Sequence, residues 1–343
     1  MLTKALTTGQ SDALDAKELM VEYGSVPGAY RDGTWPGWHW TGTPFASPAA
    51  GIGTADKGAA VSAPHVFPAE PEAADWTVTL DGTAQPVHVA RVQDYSPNGG
   101  GVDHGGAYGF TQFDITDPVD VVIHSPAGYN LSSAVLRPSS DQVSDYAATS
   151  TQVSFTLSGP AKLILEYNGR QHPLMLFASA PETDPVPDSD DPFAIVFGPG
   201  IHEPGQYVGV PDGHTLYLAP GAVLEQRVAV RGDNTAVRGR GIVSGNWQIW
   251  GTGSPTWVQL MPVYGDNVDI SGIILRGSTQ WTLVPQFSDV GSISDVKILG
   301  GRSENDDGLD FVNASNWSVD DIFIRSDDDS LCFKGQDDTF TTS

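Results

Sequence analysis

The sequence predicts an all-β protein in which a right-handed parallel β-helix follows an antiparallel β-sandwich. Glycine and proline are abundant, at 39 and 25 of 343 residues, which favours turns and strands over helices. Short segments of alternating apolar and polar residues occupy residues 75–169, as expected for half-buried strands. Further along, one apolar pattern recurs at intervals of 33, 23 and 26 residues. A repeat of this length, with glycine-rich turns, is typical of a solenoid.

Residues 1–50 are predicted to form an N-terminal segment of loops and one short helix. The helix is expected over residues 10–21, where Leu14, Leu19 and Met20 lie roughly on one side. Beyond this segment, helical periodicity fades.

Residues 51–180 are predicted to form the β-sandwich. The stretch DWTVTLDG alternates Trp76, Val78 and Leu80 and then turns at Asp81 and Gly82. Similar segments occur at 119–125, 152–158 and 161–169. Several short strands at this spacing favour an antiparallel sandwich. The proline- and aspartate-rich residues 181–193 then predict a linker.

Residues 194–343 are predicted to form the parallel β-helix, whose coils stack about 4.8 Å apart with like residues above like. Four segments share one pattern and place Val237, Ile270, Ile293 and Val319 at equivalent positions. The competing solenoid, the leucine-rich repeat, lacks support because the chain has no Leu-x-x-Leu-x-Leu pattern.

Composition excludes several classes of function. The net charge is −25, which argues against nucleic acid or an anionic membrane surface as a partner. With one cysteine, Cys332, no intrachain disulfide can form, and this residue is interpreted as a small strand residue. The sequence shows neither an apolar run long enough to span a bilayer nor a secretory signal.

Two copies of one acidic motif stand 22 residues apart, the length of one coil. DDGLDF at 306–311 and DDSLCF at 328–333 share two aspartates followed by leucine and phenylalanine. Because side chains alternate along a strand, Leu309, Phe311, Leu331 and Phe333 are all assigned to the core.

Stacking of the two copies places Asp307 against Asp329, and Asp306 beside Asp328. Consecutive acids reach one groove only if the backbone bends where it enters the strand, and the small residues at Gly308 and Ser330 suit that bend. Crowded carboxylates repel one another and push at least one pKa upward. This cost points to chemistry, although a solvated acidic surface and a calcium site remain alternatives.

Glycoside hydrolysis is one reaction that uses such a group of acids. One carboxylic acid protonates the leaving oxygen and another carboxylate activates water, at a separation of roughly 6.5–9.5 Å in inverting enzymes. Adjacent coils, together with the bend, are expected to provide that separation.

These residues resemble the polygalacturonase family, glycoside hydrolase family 28, and its relative the dextranase family, glycoside hydrolase family 49. Residues 305–310, NDDGLD, are similar to the family pattern Asn-x-Asp-Gly-Ile-Asp, and residues 327–331, DDDSL, to Gly-Asp-Asp-Cys-Ile. Residues 216–246 resemble the first coils of both families. The resemblance covers about residues 195–335 and implies a parallel β-helix that hydrolyses polysaccharide.

The resemblance also implies roles for individual residues. Asp328 is implied to be the general acid, whereas Asp307 and Asp329 are implied to hold and deprotonate the attacking water. Asn305 would support the site by hydrogen bonding, and Asp310 belongs to the same motif.

Three further residues near the acids are candidates for substrate binding. Trp281 is placed either to stack on a sugar or to pack in the fold. Arg302 and Lys334, like Arg325, could bind an acidic sugar or pin neighbouring carboxylates. The candidate substrate-binding residues are therefore Asn305, Asp310, Trp281, Arg302 and Lys334.

The chain departs from the family-28 pattern in three respects. Asp327 replaces a glycine and Ser330 replaces a cysteine, which loosens the match without removing any of the three acids. The Gly-His-Gly and Arg-x-Lys motifs that follow in the family do not occur before Ser343, and the last histidine is His214. We therefore expect this chain to be a piece of a longer protein.

The sequence thus predicts an inverting, polygalacturonase-like glycoside hydrolase. A dextranase-like hydrolase of a neutral α-glucan, a calcium-dependent polysaccharide lyase and a non-catalytic glycan-binding β-helix remain alternatives. No cofactor or metal is expected, the polysaccharide is the expected partner, and the chain is expected to act as a monomer. An extracellular or periplasmic location follows from the expected substrate.

Overall fold

The computed structural model describes residues 65–67, 70–90, 107–169, 171–247, 258–300, 303 and 305–335. These residues contain 28 strands and no α-helix, so the predicted all-β fold is confirmed. None of them forms a helix long and apolar enough to cross a membrane. The helix predicted over residues 10–21 lies outside the described residues.

Ten strands form the predicted sandwich of two five-stranded sheets. One sheet has the order β2-β1-β5-β8-β7 and the other β3-β4-β10-β9-β6. The strands are β1 Thr77–Leu80, β2 Thr83–Gln85, β3 His88–Ala90, β4 Tyr108–Asp114, β5 Val119–His124, β6 Val135–Arg137, β7 Val143–Ala148, β8 Gln152–Leu157, β9 Ala161–Glu166 and β10 Leu174–Ser179.

The sandwich is antiparallel except where β4 pairs with β10, which run parallel. This pair was not predicted, because alternation within a strand does not reveal which strand lies beside it. Between β4 and β10 the chain visits the other sheet through β5, β7 and β8, and so it can return in the same direction. The alternating residues Trp76, Val78 and Leu80 are buried in the core between the sheets.

Eighteen strands form the predicted parallel β-helix, in three six-stranded parallel sheets. Each of its six coils contributes one strand to each sheet. The strands are β11 Ala194–Phe197, β12 Gly200–His202, β13 Val208–Val210, β14 Thr215–Leu218, β15 Ala222–Leu224, β16 Val228–Val230, β17 Thr235–Gly239, β18 Ile242–Ser244, β19 Met261–Val263, β20 Val268–Ser271, β21 Ile274–Arg276, β22 Leu283–Pro285, β23 Asp289–Ser294, β24 Lys297–Leu299, β25 Leu309–Val312, β26 Ser315–Asp320, β27 Phe323–Arg325 and β28 Leu331–Lys334.

The register of the coils matches the predicted repeat. In the first sheet, which starts with β11, Val237 pairs with Ile270, Ile270 with Ile293, and Ile293 with Val319. All four side chains are buried inside the coil. The unequal intervals of the repeat are therefore differences in turn length, while the strands themselves stay in register.

The prediction that four motif residues belong to the core is right for Leu309 and Phe311, which are buried. Leu331 is only partly buried against the same core. Phe333 is 55% exposed, so its assignment to the core was wrong. It stacks on Phe311 with ring centroids 5.5 Å apart, but β28 is the outermost strand of its sheet among the described residues.

The predicted linker contains no strand, since β10 ends at Ser179 and β11 begins at Ala194. The segment nevertheless has fixed contacts with the first sheet. The Tyr217 hydroxyl donates to Glu182 Oε2 at 2.9 Å, and Arg238 Nη2 donates to the Pro185 carbonyl at 2.6 Å. The segment therefore lies along the solenoid surface.

The sandwich packs against the second sheet, which starts with β12. Phe110 and Phe177 of the sandwich share an apolar cluster with Val223, Ile242 and Ile274. The third sheet, which starts with β13, carries the acidic motifs on its last two strands.

Candidate active site

The two acidic motifs stack one above the other at the entrances of β25 and β28. The Gly308 N–H donates to the Asp329 carbonyl at 2.9 Å, and the Leu309 N–H donates to the Ser330 carbonyl at 3.1 Å. Leu309 pairs with Leu331 in the strands that follow. Asp307 and Asp329 therefore occupy equivalent positions on adjacent coils, in the vertical register that the sequence predicts.

The three candidate catalytic carboxylates converge. One carboxylate oxygen from each of Asp307, Asp328 and Asp329 lies within 4.8 Å of the others. Asp328 and Asp329 are exposed, whereas Asp307 is only 3% exposed. Consecutive acids share one site because the Asp329 N–H donates to Asp328 Oδ1 at 2.9 Å.

The backbone bends at the two positions expected from the sequence, Gly308 and Ser330. A Cβ atom at position 308 would lie 2.5 Å from Ile324 Cγ2 and 2.6 Å from the Ser330 carbonyl oxygen. Glycine at this position therefore allows the two coils to approach each other directly beneath the acids.

The closest oxygens of the three acids lie within 4.8 Å of one another, whereas the predicted roughly 6.5–9.5 Å is the distance between the carboxyl groups of an acid and a base. That separation stays a prediction. Adjacent coils of a parallel sheet are about 4.8 Å apart, which brings the acids of the two motif copies together.

Lys334 binds two of the motif carboxylates from the far end of β28. Its Nζ donates to Asp307 Oδ2 at 2.7 Å and to Asp310 Oδ2 at 2.8 Å. The same ammonium lies 3.4 Å from the ring centroid of Trp281, a cation–π contact. Of the two roles considered for Lys334, the structure shows ion pairing with neighbouring carboxylates.

Burial raises the pKa of two carboxyl groups in this cluster. For Asp307, burial is the main cause, the neighbouring Asp328 adds to it, and Lys334 counteracts it. For Asp310, burial raises the pKa to about 7; Lys334 opposes the shift, and the charges of Asp307 and Asp329 add to it. Burial alone would lower the pKa of Lys334, but its two carboxylate partners raise it.

The raised pKa of Asp310 predicts a pH-dependent stability. The protonated form of Asp310 suits its buried site, so its contribution is present below pH 3.8 and is lost as the pH rises through about 7. Asp310→Asn resembles the protonated form. The variant is expected to match the wild type at pH 4 and to exceed it by more than about 1 kcal/mol at pH 8.

Urea unfolding at several pH values measures this difference. The exposed sandwich residue Asp141 supplies the control, since Asp141→Asn is expected to follow the wild-type curve at each pH. Parallel wild-type and Asp310→Asn curves from pH 4 to pH 8 would contradict the prediction.

The other candidate binding residues lie at different distances from the acids. Trp281 is half-buried beneath Lys334. Asn305 is half-buried, and its backbone N–H donates to Ser303 Oγ at 3.2 Å. Asp310 is fully buried under Lys334, so a direct contact with substrate, as predicted, would require Lys334 to move. Arg302 lies outside the described residues.

Two other residues face away from the site. Asp306 was expected beside Asp328, but its side chain is buried and its Oδ1 accepts the Asp327 N–H at 2.9 Å. Arg325 stacks on the Tyr108 ring of the sandwich, with its guanidinium carbon 4.7 Å from the ring centroid. Arg325 therefore belongs to the contact between the two domains.

Sequence reasoning missed the contact that Cys332 makes with the acids. Its thiol donates to Asp329 Oδ2 at 3.4 Å. Burial raises the pKa of this thiol to about 11, so it remains protonated at neutral pH. The equivalence of Asp310 and Cys332 in the two motif copies was the signal that could have placed it here.

Sequence reasoning also missed a hydrogen bond between two uncharged side chains that resembles the one between Lys334 and Asp307. Gln286 Nε2 donates to Gln259 Oε1 at 2.9 Å across a sequence separation of 27 residues. Lys334 and Asp307 are also 27 residues apart. The third sheet therefore has two side-chain hydrogen bonds with the same sequence separation, one between amides and one between charged groups.

The acids could also offer ligands to a cation. Asp307, Asp328 and Asp329 each bring a carboxylate oxygen within 4.8 Å of the others, and carboxylate oxygens are ligands that calcium takes. Because Lys334 already binds Asp307 Oδ2, a cation here would compete with an internal ammonium group.

The chain is similar to known proteins both in sequence and in structure. No family model matches the chain. Over 113 residues the chain is 31% identical to a protein named "Probable polygalacturonase" from Vitis vinifera. The 113 matched residues therefore resemble part of a polygalacturonase. The match covers 31% of this chain and 22% of the relative, so the chain spans about a fifth of that protein's length.

Among solved structures, Dex49A from Penicillium minioluteum is 14% identical to the chain, with a TM-score of 0.49. That similarity covers 80% of this chain and 76% of Dex49A.

Proposed function

We propose that this chain carries the acidic site of a polygalacturonase-like glycoside hydrolase that cleaves a polysaccharide with inversion. The observation that carries the proposal is the convergence of Asp307, Asp328 and Asp329 from adjacent coils. The polygalacturonase-like match supports the class of enzyme.

In this mechanism Asp328 is the general acid. It is exposed and so can approach the glycosidic oxygen, to which it gives its proton as the bond to the anomeric carbon breaks. Asp307 and Asp329 hold a water molecule between two stacked carboxylates. One of them takes a proton from the water as its oxygen bonds to the anomeric carbon, so the proton lost by Asp328 is balanced by the proton gained.

Lys334 and Trp281 support Asp307, one of these two carboxylates. The ammonium group of Lys334 orients Asp307 through the 2.7 Å hydrogen bond and favours its ionised form, against the effect of burial. Trp281 lies on the other side of the ammonium. Lys334 therefore offsets part of the rise in the pKa of Asp307 that burial causes.

Inversion is the stereochemical outcome proposed for this reaction. Two carboxylates that share one water, and the resemblance to polygalacturonases, favour inversion.

Polygalacturonate is the first candidate substrate, and a neutral α-glucan is the second. The second is favoured by the net charge of −25, which repels a polyanion. It is also favoured by the pairing of Lys334 with two carboxylates, which reduces its capacity to bind a uronate. Either polysaccharide favours an extracellular or periplasmic location. The proposed enzyme acts as a monomer and uses no cofactor.

The experiment that tests this function uses the full-length protein with polygalacturonate and with a neutral α-glucan. We expect reducing ends to appear with one of them, and proton NMR of the first product to show the inverted anomer. Activity should persist in the presence of a chelator. An unsaturated product that disappears on chelation would instead indicate a lyase, and binding without any product would indicate a glycan-binding protein.

A further inference from the structure

The face of the third sheet that carries the acids extends back to the second coil. Val230 of β16 pairs with Val263 of β19, and Val312 of β25 pairs with Lys334 of β28. Following this register, one row of residues crosses the coils from Arg231 through Tyr264, Gln286 and Val312 to Lys334. Arg231 is four coils, or about 19 Å, from the level of Lys334.

Arg231 lies between two tyrosine rings at the far end of this row. Its guanidinium carbon is 5.5 Å from the Tyr207 ring centroid and 5.4 Å from that of Tyr264. The Tyr207 ring lies close to Gly209, where an added Cβ would be 3.5 Å from Tyr207 Cε2. Tyr207 is nonetheless 50% exposed, so much of an ordered aromatic ring faces solvent.

An open cavity adjoins Arg231. It has a volume of about 350 Å³ and is lined by Pro211, Asp212, Arg231 and Gly232. Asp212 Oδ1 accepts the Asp233 N–H at 3.1 Å, so one oxygen of the only carboxylate in the lining is already engaged.

The two cations of the row differ in their partners. Lys334 pairs with two carboxylates, Asp307 and Asp310. Among the residues that the structure describes, none of the salt bridges includes Arg231, which is exposed and held by rings alone. Its planar fork of N–H groups is therefore available to a ligand.

We propose that Tyr207, Arg231 and Tyr264 form a distal sugar-binding subsite for the polysaccharide that is cleaved at the acids. This inference rests on the proposed function for the identity of the chain that it binds. A sugar residue would stack its apolar face on the exposed part of Tyr207 and accept hydrogen bonds from Arg231 through its oxygen atoms. Hydroxyl and carboxylate oxygens share this chemistry.

The location of the subsite determines which substrates benefit from it. A chain bound at the acids must extend over four coils before it reaches Arg231, so only a long chain occupies both places. The subsite therefore contributes to the binding of polymers and long oligomers, and it leaves the chemical step unchanged.

The kinetic test compares Arg231→Gln with the wild type in the full-length protein. Losing hydrogen bonds from a charged donor is expected to raise KM for the polymer roughly tenfold or more, with kcat unchanged. KM for a trisaccharide of the same sugar should not change. Tyr207→Leu removes the stacking surface and should have the same effect. The control is Arg137→Gln, because Arg137 is an exposed arginine on the sandwich.

Binding measurements separate this inference from the proposed function. The probes are a long oligogalacturonate, its carboxyl-reduced neutral form and an α-glucan of equal length, each titrated by calorimetry into wild type and Arg231→Gln. Weaker binding of any of them by the variant supports the subsite, even if the wild type hydrolyses none. A loss of affinity confined to the oligogalacturonate would mean that Arg231 binds the carboxylate of the sugar.

Two outcomes would overturn the subsite. The first is that Arg231→Gln and Tyr207→Leu, both with wild-type melting curves, bind every probe as the wild type does. The second is that hydrolysis of polymer and trisaccharide responds equally to these variants, which would leave the function intact and remove the dependence on chain length.

Discussion

Asp328→Asn is expected to abolish hydrolysis while leaving the fold intact. An asparagine cannot give a proton to the leaving oxygen, and general acid catalysis contributes about 10²–10⁴-fold to the rate. The loss should appear in kcat, because the exposed side chain has little to do with the stability of the solenoid. Reducing-sugar release measures the rate, and circular dichroism together with thermal melting verifies the fold.

The control for this substitution is the same chemical change at Asp141, an exposed aspartate on the sandwich. Asp141→Asn should retain the wild-type rate. If Asp328→Asn also kept a near-native rate, Asp328 would not be the acid and the role assignment above would be wrong. A substrate with a better leaving group refines the test, since it needs less protonation and should recover much of the activity.

Asp295→Ala is expected to destabilise the protein by about 3–5 kcal/mol, the typical effect of breaking a buried ion pair on one side. Asp295 lies at the contact between the sandwich and the solenoid, where it joins three cations. Its Oδ1 is 2.8 Å from Nζ of both Lys162 and Lys297, and its Oδ2 is 3.2 Å from Arg240 Nη1. Without Asp295, these cations would repel one another in a buried site.

The pKa of Lys297 depends on the same group of neighbouring charges. Burial lowers the pKa of Lys297 to about 8 even though Asp295 raises it. Removing Asp295 should therefore make Lys297 lose its proton near neutral pH, because the remaining neighbours, Lys162 and Arg240, also lower its pKa.

Calorimetry tests the effect of Asp295→Ala. The melting transition should move to lower temperature and separate into two, one for the sandwich and one for the solenoid, because the substitution weakens their contact. Asp141→Ala, at an exposed site, should leave the profile unchanged. A single transition within about 1 kcal/mol of the wild type would mean that water solvates the three cations at this contact.

The repeat made much of the solenoid predictable. Val237, Ile270, Ile293 and Val319 were placed in one column from spacing alone, and they pair in that order. In a solenoid, contacts between neighbouring coils follow from the repeat, so equivalent positions in the sequence become neighbours in space. The stacking of Asp307 on Asp329 was predictable for the same reason.

Contacts between parts of the chain without a common repeat were not predictable. Lys162 of the sandwich and Asp295 of the solenoid are 133 residues apart and belong to different patterns, yet they form one ion pair. The parallel pairing of β4 with β10 has the same cause. Nothing in either segment alone specifies its partner, because this depends on how the two sheets pack.

The direction of the side chains at the site could not be predicted from the sequence either. Asp306 and Asp307 are adjacent, but Asp306 is buried towards Asp327 whereas Asp307 faces Lys334. Phe333 was placed in the core by alternation, although it is exposed at the last described strand of its sheet. Alternation specifies a face of the strand, whereas burial depends on what covers that face.

The sequence by itself determined the fold class, which follows from strand alternation and the repeat. It also determined the coil register and the positions of three acids on adjacent coils, because both follow from the period of the repeat. Only the tertiary structure decided that Lys334 bridges Asp307 and Asp310, that Asp306 turns away, and that Arg231 lies between two tyrosine rings. These features depend on the reach and direction of side chains across coils, which the spacing of residues along a chain does not specify.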